Sequence, residues 1–227
     1  MNPLPIREIH ATSQAGFPVL STLVFLPVVT AVVVLFLRDP RAARRAAVTG
    51  ALVELLVTGF MLSRFIRGTA DMQFVERLSW IPTLGSSYHI GVDGMSVLFV
   101  SVTALLTLLI LITSPLAAHS GGRGFYAGIL GLSSAAMGIF TSLDLILFFI
   151  FWEASLVPVF FVVSLWGVGP ERRYAAMKFV LTMLASSGPL LLGIVLLAVL
   201  GRESNADPLT FDWIVLRQRH VSPSVGS

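Results

Sequence analysis

Long apolar runs alternate with short polar segments along the chain, which is the pattern of a protein that crosses a membrane several times. A transmembrane helix needs roughly 20 mainly apolar residues. Strands of a membrane β-barrel would be about half as long and would alternate in polarity. The pattern therefore predicts an all-α, polytopic membrane protein with six transmembrane helices. The predicted spans are residues 18–37, 46–65, 95–114, 124–141, 145–166 and 175–200.

The predicted membrane region, 18–200, is flanked by an N-terminal segment, 1–17, and a tail, 201–227, without a further apolar run. Arginine and lysine accumulate in short cytoplasmic loops. The loops after the first, third and fifth spans are rich in arginine, whereas those after the second and fourth mix arginine with acidic residues. We therefore expect both termini to be extracytoplasmic. The single lysine among 15 basic residues hints at a GC-rich bacterial genome, and hence at a bacterial inner membrane.

The long loop at 66–94 carries a turn signal at 82–85 between segments of aromatic and β-branched residues. Such a pattern predicts a β-hairpin. We expect the hairpin to lie on the membrane surface, with Trp80 and Tyr88 at the depth of the lipid headgroups, where amphipathic rings are favoured.

Composition supports a membrane protein, because 56% of the residues are hydrophobic and only 12% are charged. An ordinary soluble domain is about a quarter charged. The net charge of +3 is scattered between apolar runs, which argues against nucleic-acid binding. Without cysteine, disulfides and thiolate chemistry are excluded. The four histidines lie in predicted loops or tails with no carboxylate paired to them in the sequence, so no metal site is expected.

Three ionisable residues fall inside the predicted spans: Glu54, Glu153 and Lys178. A charge at the centre of a membrane helix costs about 3 kcal/mol. Glu153 lies near mid-membrane, and Pro158 frees the carbonyl of Ala154 in the same helix because proline lacks an N–H. A carboxyl in such a loosened turn can load and release a proton. The alternative is a permanently protonated, structural glutamic acid.

Lys178 and Glu54 are weaker candidates for proton transfer. Lys178 lies about 5 Å inside the sixth span, so its side chain can reach the membrane surface. Its depth also argues against a direct ion pair with Glu153. Glu54 has no proline or basic residue nearby in its helix, so a neutral carboxyl facing the bundle is the first interpretation and a relay role the second. Asp144 begins the fifth span and is as readily its N-cap as a functional residue.

The run DLILFFIFWEASLVPVFFVVSLWG at 144–167 resembles the fifth-helix signature of the antiporter-like subunits of proton-pumping NADH:quinone oxidoreductase, complex I. SSYHIGVDGMSVLFVSVTALLTLL is similar to the preceding loop and helix of chain M (subunit 4), AAMKFVLTMLASSGPLLLG to the sixth helix, and TFDWIVLRQ to the loop that follows it. The resemblance extends over residues 18–217.

The resemblance implies a fold of about fourteen helices, of which six are expected here, with Glu153 as the fifth-helix glutamate of a half-channel. The usual lysine partners lie in later helices, so we expect a fragment, a remnant, or a split subunit completed by a second polypeptide. The implied partners are the lipid bilayer and other membrane-arm subunits, which use NADH and quinone while this chain binds no cofactor. The alternatives are a subunit of a sodium/proton antiporter or membrane-bound hydrogenase, and a structural or assembly piece without transport.

Overall fold

The computed structural model describes residues 7–114, 122–202 and 208–218. Within these ranges six helices are long and apolar enough to span a membrane, which confirms the predicted helical membrane fold. His119 and His220 lie outside the described residues. The elements in chain order are β1 Glu8–His10, α1 Ala11–Gln14, α2 Val19–Phe36, α3 Pro40–Arg64, β2 Met72–Ile81, β3 Ser86–Val92, α4 Ser96–Thr113, α5 Gly122–Thr141, α6 Leu145–Trp166, α7 Arg172–Leu200 and α8 Trp213–Gln218.

The long helices match the predicted spans closely, except that α3 begins six residues before the expected start at residue 46. The Asp39 side chain accepts hydrogen bonds from the amides of Arg41 and Ala42, and Pro40 occupies the first helical position. Both features favour a helix start. Polar residues that hydropathy assigns to the loop are therefore the first turns of α3.

Helices α2, α3, α4 and α5 pack around one another, α6 packs on α5, and α7 packs mainly on α6. At one end of this bundle, arginines bond to carbonyls that helix ends leave free. Arg44 donates to the Ile112 carbonyl at 2.8 Å, and Arg123 donates to the Leu37 carbonyl at 3.2 Å. The arginines on which the predicted orientation depends thus also stabilise the helix ends.

The opposite end carries a small sheet, so the all-α prediction is incomplete there. The predicted hairpin is confirmed: β2 pairs antiparallel with β3, and a 3-10 turn connects them. Gly85 closes the turn in the left-handed region at φ 67°, where glycine is favoured. Strand β1 pairs parallel with β2 and was not predicted, because three residues are too short to show a period.

The tail beyond α7 is not a bare extension, because residues 209–214 lie between the hairpin and the first turn of α6. The Phe211 amide donates to the Gly85 carbonyl at 3.4 Å, and the Phe211 carbonyl accepts from the Leu145 amide at 2.9 Å. Ile214 is buried in a small cluster with Met72, Val75 and Leu143. The tail therefore joins the hairpin to the α5–α6 corner, which includes Leu143.

Candidate functional site

Glu153 projects from the middle of α6 into a groove of about 440 Å³ between α6 and α7. The groove walls are apolar: Leu156, Val157, Phe160, Phe161, Val180 and Leu184. The carboxyl oxygen Oε1 is buried and has no hydrogen-bond partner among the described residues. A carboxylate oxygen in this position has no protein group among the described residues to compensate its charge.

Pro158 lies one and a half turns after Glu153, as the sequence predicts, and α6 continues through it to Trp166. The side of α6 that carries Pro158 faces α5. Gly131 of α5 lies against the Pro158 ring and leaves room for it. A second groove of about 450 Å³ runs along this face and includes Ala154, whose carbonyl loses its helical donor. The turn that Pro158 weakens thus carries both the Glu153 carboxyl and the Ala154 carbonyl.

Lys178 lies on the exposed face of α7. It makes no ion pair with Glu153 in the part of the chain that the structure describes. The groove is lined instead by Val180 and Leu184 of the same helix. The structure therefore brings α7 next to Glu153 but does not bring the lysine to it, in agreement with the depth argument from the sequence.

Glu54 is fully buried between α3, α4 and α5. The Ser133 hydroxyl donates to Glu54 Oε1 at 2.9 Å, and the Thr107 hydroxyl lies 3.0 Å from the Ser133 oxygen. This geometry confirms that the Glu54 carboxyl faces the bundle. Glu54 Oε2 has no protein partner among the described residues. One hydroxyl bonds directly to the carboxyl and a second hydroxyl bonds to the first, so a chain of hydrogen bonds links α3, α5 and α4.

Asp144 caps α6 as predicted, because its side chain accepts from the amides of Ile146 and Leu147 at 3.0 and 3.1 Å. The same carboxylate also accepts from the Ser86 hydroxyl and the Ser87 amide of β3, at 3.0 and 2.9 Å. One side chain therefore fixes both the first turn of the Glu153 helix and the hairpin. The sequence shows the cap but not the contact with β3.

His89 is paired with carboxylates. The expectation that no histidine is paired with a carboxylate is therefore wrong at this position. His89 Nδ1 lies 3.0 Å from Asp212 Oδ2, and Arg77 Nη2 lies 3.0 Å from the same oxygen. The pairing escaped sequence reasoning because His89 and Asp212 are 123 residues apart. Burial opposes ionisation of Asp212, but the bond and charge of His89, the Val215 amide and the Arg77 charge outweigh it and lower the Asp212 pKa.

Glu76 on β2 reaches across to the start of α2, where it accepts from the Leu20 amide at 2.8 Å and from the Ser21 amide and hydroxyl. It thereby supplies the N-terminal cap that Pro18 cannot provide. Burial raises the Glu76 pKa, although these hydrogen bonds partly oppose the rise. Tyr88 bonds to Ser21 as well, and burial raises its pKa against the effect of that bond.

No group of three or more histidine, aspartate or glutamate side chains stands ready to hold a metal within the ranges described above. The described protein groups thus form two carboxyl sites inside the bundle, at Glu153 and Glu54, and a charged cluster at the hairpin end. Only the Glu153 site opens to a groove between helices.

Residues 142–211 match the family described as NADH:quinone oxidoreductase/Mrp antiporter, TM. The chain is 40% identical to F(420)H(2) dehydrogenase subunit M of Methanosarcina mazei over 78% of this chain and 36% of that protein. It is 34% identical to NADH-quinone oxidoreductase subunit M of Rickettsia felis over 72% of this chain and 34% of that protein.

The fold matches a chain of the respiratory complex I structure from Thermus thermophilus with a TM-score of 0.72 at 28% identity, over 87% of this chain and 38% of that chain. The chain spans about a third of the length of the curated relatives that it matches. These matches confirm the resemblance found in the sequence. The chain is a multi-pass membrane protein that resembles the N-terminal half of subunit M, the antiporter-like membrane subunit of NADH:quinone oxidoreductase.

Proposed function

We propose that this chain is a membrane-arm subunit of a proton-translocating NADH:quinone oxidoreductase, and that Glu153 carries a proton along part of the path. The observation that carries the proposal is the buried, unbonded Oε1 of Glu153 in the groove between α6 and α7. A group that lacks fixed partners can exchange its proton when water or a charged group enters the groove. Quinone reduction takes place elsewhere and drives this exchange.

Other subunits would bind the redox groups. The similar M subunits are named for complexes that oxidise different donors, F420H2 in one case and NADH in the other. This difference supports a membrane subunit that moves protons irrespective of the donor and binds neither NADH nor quinone. Partners would be other membrane-arm subunits, together with helices from the same or a second polypeptide that cover the open side of α6 and α7.

The three ionisable residues in the spans take unequal parts in this proposal. Glu153 is the proton carrier. Lys178 can communicate with it only through water, because it is exposed and makes no ion pair with Glu153 among the described residues. Glu54 contributes least, because Ser133 holds its carboxyl inside the bundle.

The experiment is to replace Glu153 in the complete complex and to measure pumping in membrane vesicles. Glu153→Gln keeps the volume and hydrogen bonding but cannot ionise, so we expect pumping to be lost while the complex assembles. Glu153→Asp should keep part of the activity, because its carboxyl is one methylene shorter. Full pumping in an assembled Gln variant would favour a structural or assembly role. Sodium/proton exchange without redox-driven pumping would favour the antiporter alternative.

We further propose that the arginine-capped end faces the cytoplasm of a bacterial cell and that the hairpin and both termini face outward. The chain has no cysteine, so single cysteines can be introduced without background. Val168→Cys in the α6–α7 loop and Thr83→Cys in the hairpin turn are both exposed. An impermeant thiol reagent should label them from opposite sides of the membrane. Labelling of both from the same side would overturn the orientation.

A further inference from the structure

The hairpin end contains a charged cluster that plays no part in the proposed proton path. It joins three segments that are far apart in the sequence: β1 through Glu8, the hairpin through Arg77 and His89, and the tail through Asp212. Backbone hydrogen bonds also connect the hairpin and the tail through Leu143. The His89 carbonyl accepts from the Leu143 amide, and the Leu143 carbonyl accepts from the Trp213 amide, both at 2.8 Å. The cluster thus lies beside the first turn of α6.

The His89 side chain is fully buried, with its two ring nitrogens facing different carboxylates. Nδ1 lies 3.0 Å from Asp212 Oδ2, so it donates its proton there. Nε2 has no hydrogen-bond partner among the described residues and lies 3.8 Å from Glu8 Oε1. In neutral histidine, Nε2 then presents a lone pair to a carboxylate. A second proton would turn this contact into an ion pair between an N–H and a carboxylate, at a separation longer than a hydrogen bond.

The charged groups around the ring come from three segments. Arg77 is the cation on β2, and Glu8 on β1 and Asp212 on the tail are the anions, which leaves one negative charge when His89 is neutral. Other nearby ionisable groups are engaged elsewhere: Glu76 and Tyr88 with the start of α2, and Asp144 with Ser86, Ser87 and the first turn of α6. His10 is exposed at the end of β1.

Strand β1 is short, and the helix α1 that follows it is anchored separately, because the Gln14 side chain accepts from the Phe74 amide at 2.8 Å. The strand has three residues, and its register with β2 is irregular between Glu8 and His10. The tail is held differently, because Asp212 also caps α8 by accepting from the Ile214 amide at 2.9 Å and receives Arg77 whether or not His89 is charged. A proton on His89 should therefore act on β1 much more than on the tail.

We propose that His89 is a proton-dependent clamp that ties β1 to the hairpin and tail by bridging Glu8 and Asp212 when both of its ring nitrogens are protonated. The clamp closes as the pH falls through the range in which histidine titrates and opens as the pH rises. It does not depend on the proposed proton path through Glu153.

Hydrogen exchange tests the clamp in the full chain in lipid nanodiscs, at about pH 5.5 and about pH 8, which bracket histidine titration. After correction for the intrinsic effect of pH, amides in the β1 peptide should exchange roughly two- to fivefold more slowly at the lower pH, as one ion pair with a partly exposed partner would produce. Amides in 209–216 should change little. An equal change in both segments, or no change in β1, would overturn the proposal.

Three variants identify the titrating group. His89→Gln cannot take up a proton, so β1 exchange should lose its pH dependence; if the dependence persists, another group titrates. Glu8→Gln changes a half-exposed residue without touching the buried ring, and it should speed β1 exchange at the lower pH alone. Glu76→Gln is the matched control on the neighbouring strand and should keep the dependence. Loss of the dependence in the Glu76 variant would assign the clamp to Glu76 instead and contradict the proposal.

Discussion

The two carboxyl groups within the spans lie in regions of opposite character. In the most apolar stretch of α3, which carries Glu54, 28% of the residues are buried, whereas the corresponding share in α6, which carries Glu153, is 11%. The Ser133 hydroxyl bonds to one Glu54 oxygen, whereas Glu153 Oε1, like Glu54 Oε2, has no protein partner among the described residues.

This difference is the basis on which we propose a structural role for Glu54 and proton transfer for Glu153. The buried Glu54 carboxyl accepts a hydrogen bond from Ser133 of α5, and loss of that bond would weaken the contact between α3 and α5. A carboxyl in an open groove has fewer bonds to lose. The proposal that Glu153 carries the proton therefore depends on the surroundings of each residue rather than on its residue type or depth.

The largest expected effect on stability comes from removing the interior carboxyl. Glu54→Ala leaves the Ser133 hydroxyl unsatisfied, at roughly 1–3 kcal/mol, and adds a cavity beside it. Glu54→Gln keeps an acceptor for Ser133 and should cost much less. Thermal unfolding in detergent compares the two variants. Equal melting temperatures for Glu54→Ala and the unaltered chain would mean that the interior region is not held by this contact.

Matched glycine substitutions test the packing of the two regions, with an effect in the same range but without the added cavity. A side chain at Gly138 of α5 would overlap the Phe151 ring of α6, whereas Gly188 of α7 has no atom within 4 Å of an added Cβ. Gly138→Leu should destabilise the chain by roughly 1–3 kcal/mol through overpacking. Gly188→Leu should leave the melting temperature unchanged or slightly higher, because glycine is a poor helix former. The reverse order would contradict the described packing.

The smallest expected effect is a change of stability with pH at the hairpin end. The folded pKa of Asp212 is lowered, so its stabilisation is present above the unfolded value near pH 4 and is lost as the pH falls through the lower folded value. The folded pKa of Glu76 is raised, so its contribution is present below the unfolded value and is lost as the pH rises through the folded value.

Melting temperatures between about pH 3 and about pH 7 separate the two carboxyl groups, whose unfolded pKa values lie near 4. Asp212→Asn should weaken the loss of stability on the acid side, and Glu76→Gln should weaken the loss toward neutral pH. Parallel curves for both variants and the unaltered chain would show that neither carboxyl is linked to folding.

The helices and the capping role of Asp144 could be predicted from the sequence because both depend on local patterns. Apolar runs have the length of a membrane span, and an aspartate before such a run is a helix cap. Glu153 was predicted for the same reason, since a charged residue within an apolar run is conspicuous whatever surrounds it.

The hairpin-end contacts could not be predicted, because they join residues that no local pattern connects. Glu76 caps a helix that begins more than fifty residues earlier, and Asp212 meets His89 across 123 residues. The only signals were the motifs HIGVDG and TFDW, which the sequence places in separate loops. The open groove at Glu153 was also hidden, because hydropathy does not distinguish a helix face packed on protein from an exposed one.

Redox-driven proton uptake in vesicles, measured for Glu153→Gln and Glu54→Gln in equally assembled complexes, compares the two regions most directly. Both substitutions remove one ionisable carboxyl and keep its volume. Glu153→Gln should abolish most of the pumping, whereas Glu54→Gln should retain most of it. Full pumping in the Glu153 variant, or a greater loss in the Glu54 variant, would contradict the assignment of the proton to the open groove.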